Sequence, residues 1–111
     1  MITGIGTTEV KTLVDSGSAV VLEVLPAAYY ESGHLPGALL LPPDALDAQA
    51  PLVAPDRDRT IVVYCSNAAC NNSHVAARRL DQLGYADVRR YVGGKEEWSA
   101  AGLPLEVATR A

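Results

Sequence analysis

The sequence predicts an α/β fold, organised as one domain over residues 1–111 with a mainly parallel central sheet and helices on both faces. Short apolar, β-branched runs alternate with helix-like stretches at short spacing, as in β-α-β units. The strand candidates are almost continuously apolar, which is typical of strands covered on both faces. A length of 111 residues suits one domain and is enough to bury a substantial core.

In the first half of the chain, a helix is predicted to begin at Thr7, because Thr7-Thr8-Glu9 provides a cap and an acidic first turn. Its apolar face is Val10, Leu13 and Val14, and Gly17 ends it. Four further elements are predicted in order: a buried strand at 19–24, a helical turn at 26–31, a tight turn at 34–37 and a short strand at 38–41.

Residues 44–59 show no clear periodicity, so a short helix from Asp44 to Ala48 is followed by a predicted surface loop around Pro51 and Pro55. Beyond this loop the pattern becomes regular again. It predicts a strand at 61–64, a polar loop at 66–72, a helix at 73–83, a strand at 88–92 and a final helix at 95–100.

Composition excludes several classes of function. Hydrophobic residues make up 49% and charged residues 20% of the chain, and the formal net charge is −4. Because no basic stripe interleaves with aromatic residues, we expect no nucleic-acid binding. The first residues lack the pattern of a signal peptide, and no apolar run approaches the length of a membrane span. We therefore expect a soluble, cytoplasmic protein that does not associate with membranes.

Cys65 is the leading candidate for chemistry. It follows the apolar run Ile61-Val62-Val63-Tyr64 and opens the polar loop that precedes a helix. Turn amides and the positive end of a helix dipole both favour a thiolate, whereas a free thiol is only about 3% ionised at pH 7. The ends of three predicted strands, at Leu25, Cys65 and Gly93, are expected to meet at one sheet edge and to place Lys95 close to the cysteine.

Several motifs occur together in a distinctive order. They are Gly33-His34-Leu35-Pro36-Gly37-Ala38, Val62-Val63-Tyr64-Cys65, Ala76-Ala77 with Leu80, Leu83-Gly84-Tyr85, Gly93-Gly94 with Trp98, and Ala101-Gly102-Leu103-Pro104. In this combination, which covers almost the whole chain, the sequence resembles the rhodanese-like sulfurtransferase domains. Two features depart from that family's usual pattern: Glu23-Val24-Leu25 occupies the place of Asp-x-Arg, and the loop after Cys65 is longer and uncharged.

The resemblance implies that Cys65 takes a sulfane sulfur from a donor such as thiosulfate and passes it to cyanide or a thiol acceptor, which could belong to a protein. The anion would be held by the loop and by the helix terminus, with Lys95 as the nearest side-chain cation. No cofactor or metal is expected, and no oligomeric state is predicted. The predicted substrate-binding loop consists of Ser66, Asn67, Ala68, Ala69, Asn71, Asn72 and Ser73.

Alternatives are open at two points. Cys70, five residues beyond Cys65, could be a resolving thiol, a passive loop residue or the actual sulfur carrier. The whole chain could instead be a weakly catalytic rhodanese-like module that binds or senses, or a Cys65–Cys70 thiol-disulfide switch. The basic pairs Arg78-Arg79 and Arg89-Arg90 are predicted to be solvated, with docking of an acceptor as their alternative role.

Overall fold

The computed structural model describes residues 2–107 and confirms the α/β prediction. Five parallel strands form one sheet in the order β1-β5-β4-β2-β3. The strands are β1 (Ile2–Ile5), β2 (Val20–Glu23), β3 (Leu39–Leu40), β4 (Ile61–Tyr64) and β5 (Val88–Tyr91). The helices are α1 (Thr7–Ser16), α2 (Ala27–Ser32), α3 (Leu46–Val53), α4 (Asn72–Gln82) and α5 (Gly94–Ala100), and a 3₁₀ turn, Pro43–Ala45, precedes α3.

Strand β4 lies in the centre of the sheet because all four of its side chains are apolar enough to be buried on both faces. Its residues alternate between two cores, as the period of two requires. Ile61 and Val63 pack on the face covered by α3 and α4, whereas Val62 and Tyr64 pack on the face covered by α1 and α5. Cys65 continues the alternation and joins the α3/α4 core.

Two elements differ from the sequence prediction. Strand β1 was not anticipated, because Ile2–Ile5 is short and mostly exposed and becomes a strand by pairing with β5. Helix α3 runs to Val53 and contains Pro51, where a surface loop was predicted. Burial of Leu46 and Ala50 against the core offsets the hydrogen bond that proline removes.

The carboxyl ends of β2, β4 and β5 meet at one edge of the sheet, as predicted. The Asn72 side chain donates to the carbonyl oxygen of Val24, 3.2 Å away, and so links the start of α4 to the end of β2. The backbone amide of Lys95 donates to the carbonyl oxygen of Cys65 at 3.1 Å and links α5 to the end of β4. This edge carries the candidate site.

Candidate functional site in the cysteine loop

The loop that begins at Cys65 is anchored by the start of α5. Lys95 and Glu96 donate their backbone amides to the carbonyl oxygens of Cys65 and Ser66, at 3.1 and 2.9 Å. Gly94 makes this approach possible, because it has a φ of 61° and a Cβ there would lie 2.3 Å from the Cys65 carbonyl oxygen. Gly94 of the Gly-Gly motif therefore allows the start of α5 to pack closely against the cysteine loop.

Asn67 folds the loop back on itself. Its side-chain oxygen accepts hydrogen bonds from the backbone amides of Ala69 and Cys70, at 3.0 and 3.1 Å. The Cys70 amide also lies 3.1 Å from the carbonyl oxygen of Asn67. This Asx-type turn returns Cys70 to the vicinity of Cys65. The sequence therefore builds a compact pair of cysteines out of residues five positions apart.

The Cys65 sulfur lies on the buried side of this pair. Only 1% of the residue is exposed, and it packs in the α3/α4 core. The sulfur is 3.4 Å from the carbonyl oxygen of Cys70 and 3.6 Å from the hydroxyl oxygen of Ser73. Burial and a hydrogen bond to the Cys70 side chain raise the pKa of Cys65, although Ser73 opposes the change. These surroundings favour a thiol at position 65.

The Cys70 sulfur has the opposite surroundings and is only partly buried. Burial opposes its ionisation, but hydrogen bonds from the Cys65 thiol and from the backbone amides of Asn72 and Ser66 lower the pKa of Cys70, and the charge of Arg90 adds to the effect. Backbone amides and a nearby cation are the usual means of stabilising a thiolate. The amide groups expected to act on Cys65 thus act largely on Cys70.

Arg90 is the charged residue that the sequence analysis missed at this site. Its Nε donates to the Ser73 hydroxyl oxygen at 3.0 Å, and its charge acts on Cys70. Arg90 pairs in register with Val63, so the alternation of β5 places both residues on the α4 face of the sheet. This alternation, counted from buried Val88, is the signal that could have separated Arg90 from Arg89, which lies on the opposite face of the sheet.

Lys95 does reach the predicted sheet edge, but it faces the other side of the sheet. Its ammonium group donates to the carbonyl oxygens of Tyr29 and Gly33, at 2.7 and 2.6 Å, and pairs with Glu23 Oε1 at 2.9 Å. The Tyr64 hydroxyl donates to the same Glu23 oxygen. The predicted anion-stabilising role of Lys95 is therefore not supported, because a buried carboxylate already neutralises its charge.

The remaining loop residues divide into two groups. Ser66, Asn67, Asn72 and Ser73 lie around the two cysteines. Ala68, Ala69 and Asn71 are exposed on the outer part of the loop. Asn71 occupies the N-cap position of α4, but its side chain makes no capping hydrogen bond.

Within residues 2–107, no three or more His, Cys, Asp or Glu side chains are grouped so that they could hold a metal ion. His74, the histidine nearest to the two cysteines in the sequence, is exposed. No helix in the same part of the chain has the length and apolar character needed to cross a membrane.

The fold and the site together define a parallel α/β domain with a cysteine loop between a strand end and a helix N-terminus. Residues 6–101 match the family described as the Rhodanese-like domain, and the chain belongs to this family. The thiosulfate sulfurtransferase GlpE of Actinobacillus succinogenes is 30% identical over 96 residues, which are 86% of this chain and 83% of that protein.

Other relatives carry different names. The HTH-type transcriptional regulator Rv0324 of Mycobacterium tuberculosis is 36% identical over 93 residues, covering 83% of this chain and 39% of the regulator. This chain therefore spans well under half of that relative's length. The structure of the human single-domain sulfurtransferase TSTD1 superposes with a TM-score of 0.76 at 25% identity, covering 87% of this chain and 95% of the human one. Sulfurtransferases are thus among the relatives of this chain.

Proposed function

We propose that this chain is a sulfurtransferase that takes a sulfane sulfur from a donor such as thiosulfate onto a loop cysteine and passes it to a thiol or to cyanide. The observation that carries the proposal is the cysteine pair, in which Cys65 is almost fully covered and contacts the backbone of Cys70, whereas Cys70 is only partly buried. Family membership and the similarity to GlpE support the same activity.

The sequence analysis predicted Cys65 as the sulfur carrier and left Cys70 as an alternative. The surroundings of the two sulfurs favour Cys70 as the first acceptor. Cys70 is the more exposed of the two and has the lowered pKa, whereas Cys65 is almost fully covered. Only the thiolate is a good nucleophile. A Cys70 thiolate would attack the outer sulfur of thiosulfate, form a persulfide and release sulfite.

Anion binding in this proposal relies on the backbone and on Arg90. The backbone amides of Asn72 and Ser66 lower the pKa of Cys70 against the effect of burial, and Asn72 is the first residue of α4. Fixed dipoles of this kind stabilise a negative charge without needing to reorganise. They would hold the terminal sulfur of a persulfide in the same way.

Mass spectrometry and a transfer assay test the proposal. Reduced wild-type protein incubated with thiosulfate and cyanide should release sulfite and yield thiocyanate, and Cys65→Ser incubated with thiosulfate alone should gain the mass of one sulfur atom. Cys70→Ser should lose at least about a hundredfold in transfer rate, whereas Cys65→Ser should still accept the sulfur. If Cys70→Ser keeps the adduct and Cys65→Ser loses it, the carrier is Cys65. If the wild-type protein releases no sulfite from thiosulfate and yields no thiocyanate, the sulfurtransferase proposal fails and a binding module is favoured.

A further inference from the structure

Cys65 and Cys70 have different surroundings, and this difference suggests a second reaction of the bound sulfur. Resting on the function proposed above, we propose that Cys65 is a resolving nucleophile that attacks a persulfide on Cys70, forms a Cys65–Cys70 disulfide and releases the sulfur as hydrosulfide. The site would then reduce a sulfane sulfur with its own two thiols, in addition to passing that sulfur to an external acceptor.

The first support is the position of Cys65 beneath Cys70. The Cys65 sulfur lies 3.4 Å from the carbonyl oxygen of Cys70, so the two residues are in direct contact. Cys65 is on the core side of the pair and Cys70 is on the solvent side. An outer sulfur added from solvent would extend away from the core, so Cys65 would face the inner sulfur of the persulfide.

The second support is the flexibility expected of the connecting segment. Cys65 and Cys70 are both free thiols and are joined by an exposed stretch that includes Ala68 and Ala69. The loop can therefore adjust to the geometry of a disulfide without moving β4 or α4, which hold the core. The Asx turn at Asn67 keeps the two sulfurs close before the reaction.

The third support is a hydroxyl group that can assist ionisation of Cys65. The Ser73 hydroxyl oxygen lies 3.6 Å from the Cys65 sulfur and accepts a hydrogen bond from Arg90 at 3.0 Å. Because Arg90 occupies the oxygen, the hydroxyl hydrogen is free to point at the Cys65 sulfur as negative charge develops there. Ser73 is itself 1% exposed, so its donor is held in place.

The atoms and charges of the sequence balance without an external oxidant. In the first step, the Cys70 thiolate bonds to the outer sulfur of thiosulfate, whose S–S bond breaks, and sulfite leaves. In the second step, the Cys65 sulfur bonds to the Cys70 sulfur, and the bond to the outer sulfur breaks. The outer sulfur leaves as hydrosulfide with the proton of Cys65. It gains two electrons, and the two cysteines lose two. A dithiol reductant would restore the thiols.

A single-turnover experiment in anaerobic buffer tests this inference. Fully reduced protein, freed of reductant, is mixed with thiosulfate, and sulfite, hydrosulfide and intact mass are measured after alkylation of free thiols. The wild-type protein should release sulfite and hydrosulfide in equal amounts and should end with both cysteines protected from alkylation. Protein without thiosulfate should keep both thiols, which excludes simple oxidation.

Variants separate this inference from the function on which it rests. Cys65→Ser and Cys65→Ala should both release sulfite and retain one sulfur on Cys70, without hydrosulfide; the alanine variant covers the case that a serine disturbs the core. If the wild-type protein releases sulfite but keeps a stable persulfide, or moves the sulfur to Cys65, the inference is wrong and the proposed function stands. If it releases no sulfite, the proposed function itself fails.

Discussion

The two faces of the same sheet edge carry two very different polar clusters. On the α1/α5 face, Glu23 is fully buried and its Oε1 is shared by Lys95 and Tyr64. On the α4 face, Cys65, Cys70 and Arg90 form a looser group in which one sulfur reaches solvent. In the first cluster the charges neutralise each other, whereas in the second the charge of a partly exposed arginine lies near an uncharged hydroxyl and lowers the pKa of Cys70.

The comparison shows why a cation near a strand end is insufficient to identify a reactive site. Lys95 has three acceptors within hydrogen-bonding distance. One of them is the buried carboxylate of Glu23, which neutralises the charge of the ammonium group. Arg90 contacts the neutral Ser73 hydroxyl, so its charge is free to act on a nearby sulfur. We infer that the Glu23 cluster stabilises the sheet edge and that the cysteine cluster performs the chemistry.

The largest expected effect on stability is in the Glu23 cluster. Lys95→Met leaves the Glu23 carboxylate buried without its cation, which should reduce the free energy of unfolding by about 3–5 kcal/mol. Urea unfolding measures this change. The paired variant Glu23→Leu/Lys95→Met should recover a large part of the lost stability. A loss below about 1 kcal/mol in Lys95→Met would show that the pair is not a structural element.

Much of the fold and part of this site follow from local sequence patterns. The strand that ends just before Cys65 and the helix that follows the loop are encoded by local patterns, and their prediction is confirmed. The partners of Lys95 were not predicted, because they come from distant segments. The available signal for these partners was Glu23, which lies inside the apolar run 20–25. A buried carboxylate requires a partner, and Lys95 is that partner. The contacts of Cys70 depend on the loop path, which no periodicity encodes.

Gly94 precedes Lys95 in the chain and packs against the carbonyl oxygen of Cys65, so it lies between the two clusters. Its replacement should have the next largest effect on stability. Gly94→Ala places a Cβ 2.3 Å from the Cys65 carbonyl oxygen and imposes a left-handed φ on alanine. We expect a loss of about 2–4 kcal/mol in the free energy of unfolding. Gly17→Ala is the matched control, because Gly17 has a φ of 66° but open space around its Cβ position. Equal losses in the two variants would mean that the close approach to the loop is unimportant.

Arg90→Met should produce a smaller change, confined to the cysteine cluster. Loss of the charge should raise the pKa of Cys70 and reduce the rate of sulfur uptake from thiosulfate by roughly tenfold at pH 7. Arg89→Met is the control on the same strand, because Arg89 pairs with Asp87 and lies near Glu9. If both variants slow the reaction equally, the effect is general electrostatic attraction and not the position of Arg90.

The central claim is that Cys70 carries the thiolate and Cys65 the thiol. The most direct measurement is the rate of iodoacetamide alkylation at each cysteine as a function of pH, resolved by peptide mass, with the single serine variants used to separate the two sites. The structure predicts that the pKa of Cys70 lies below that of an ordinary thiol and that the pKa of Cys65 lies above it. Faster alkylation of Cys65 at neutral pH, with an ordinary or raised pKa for Cys70, would contradict the account.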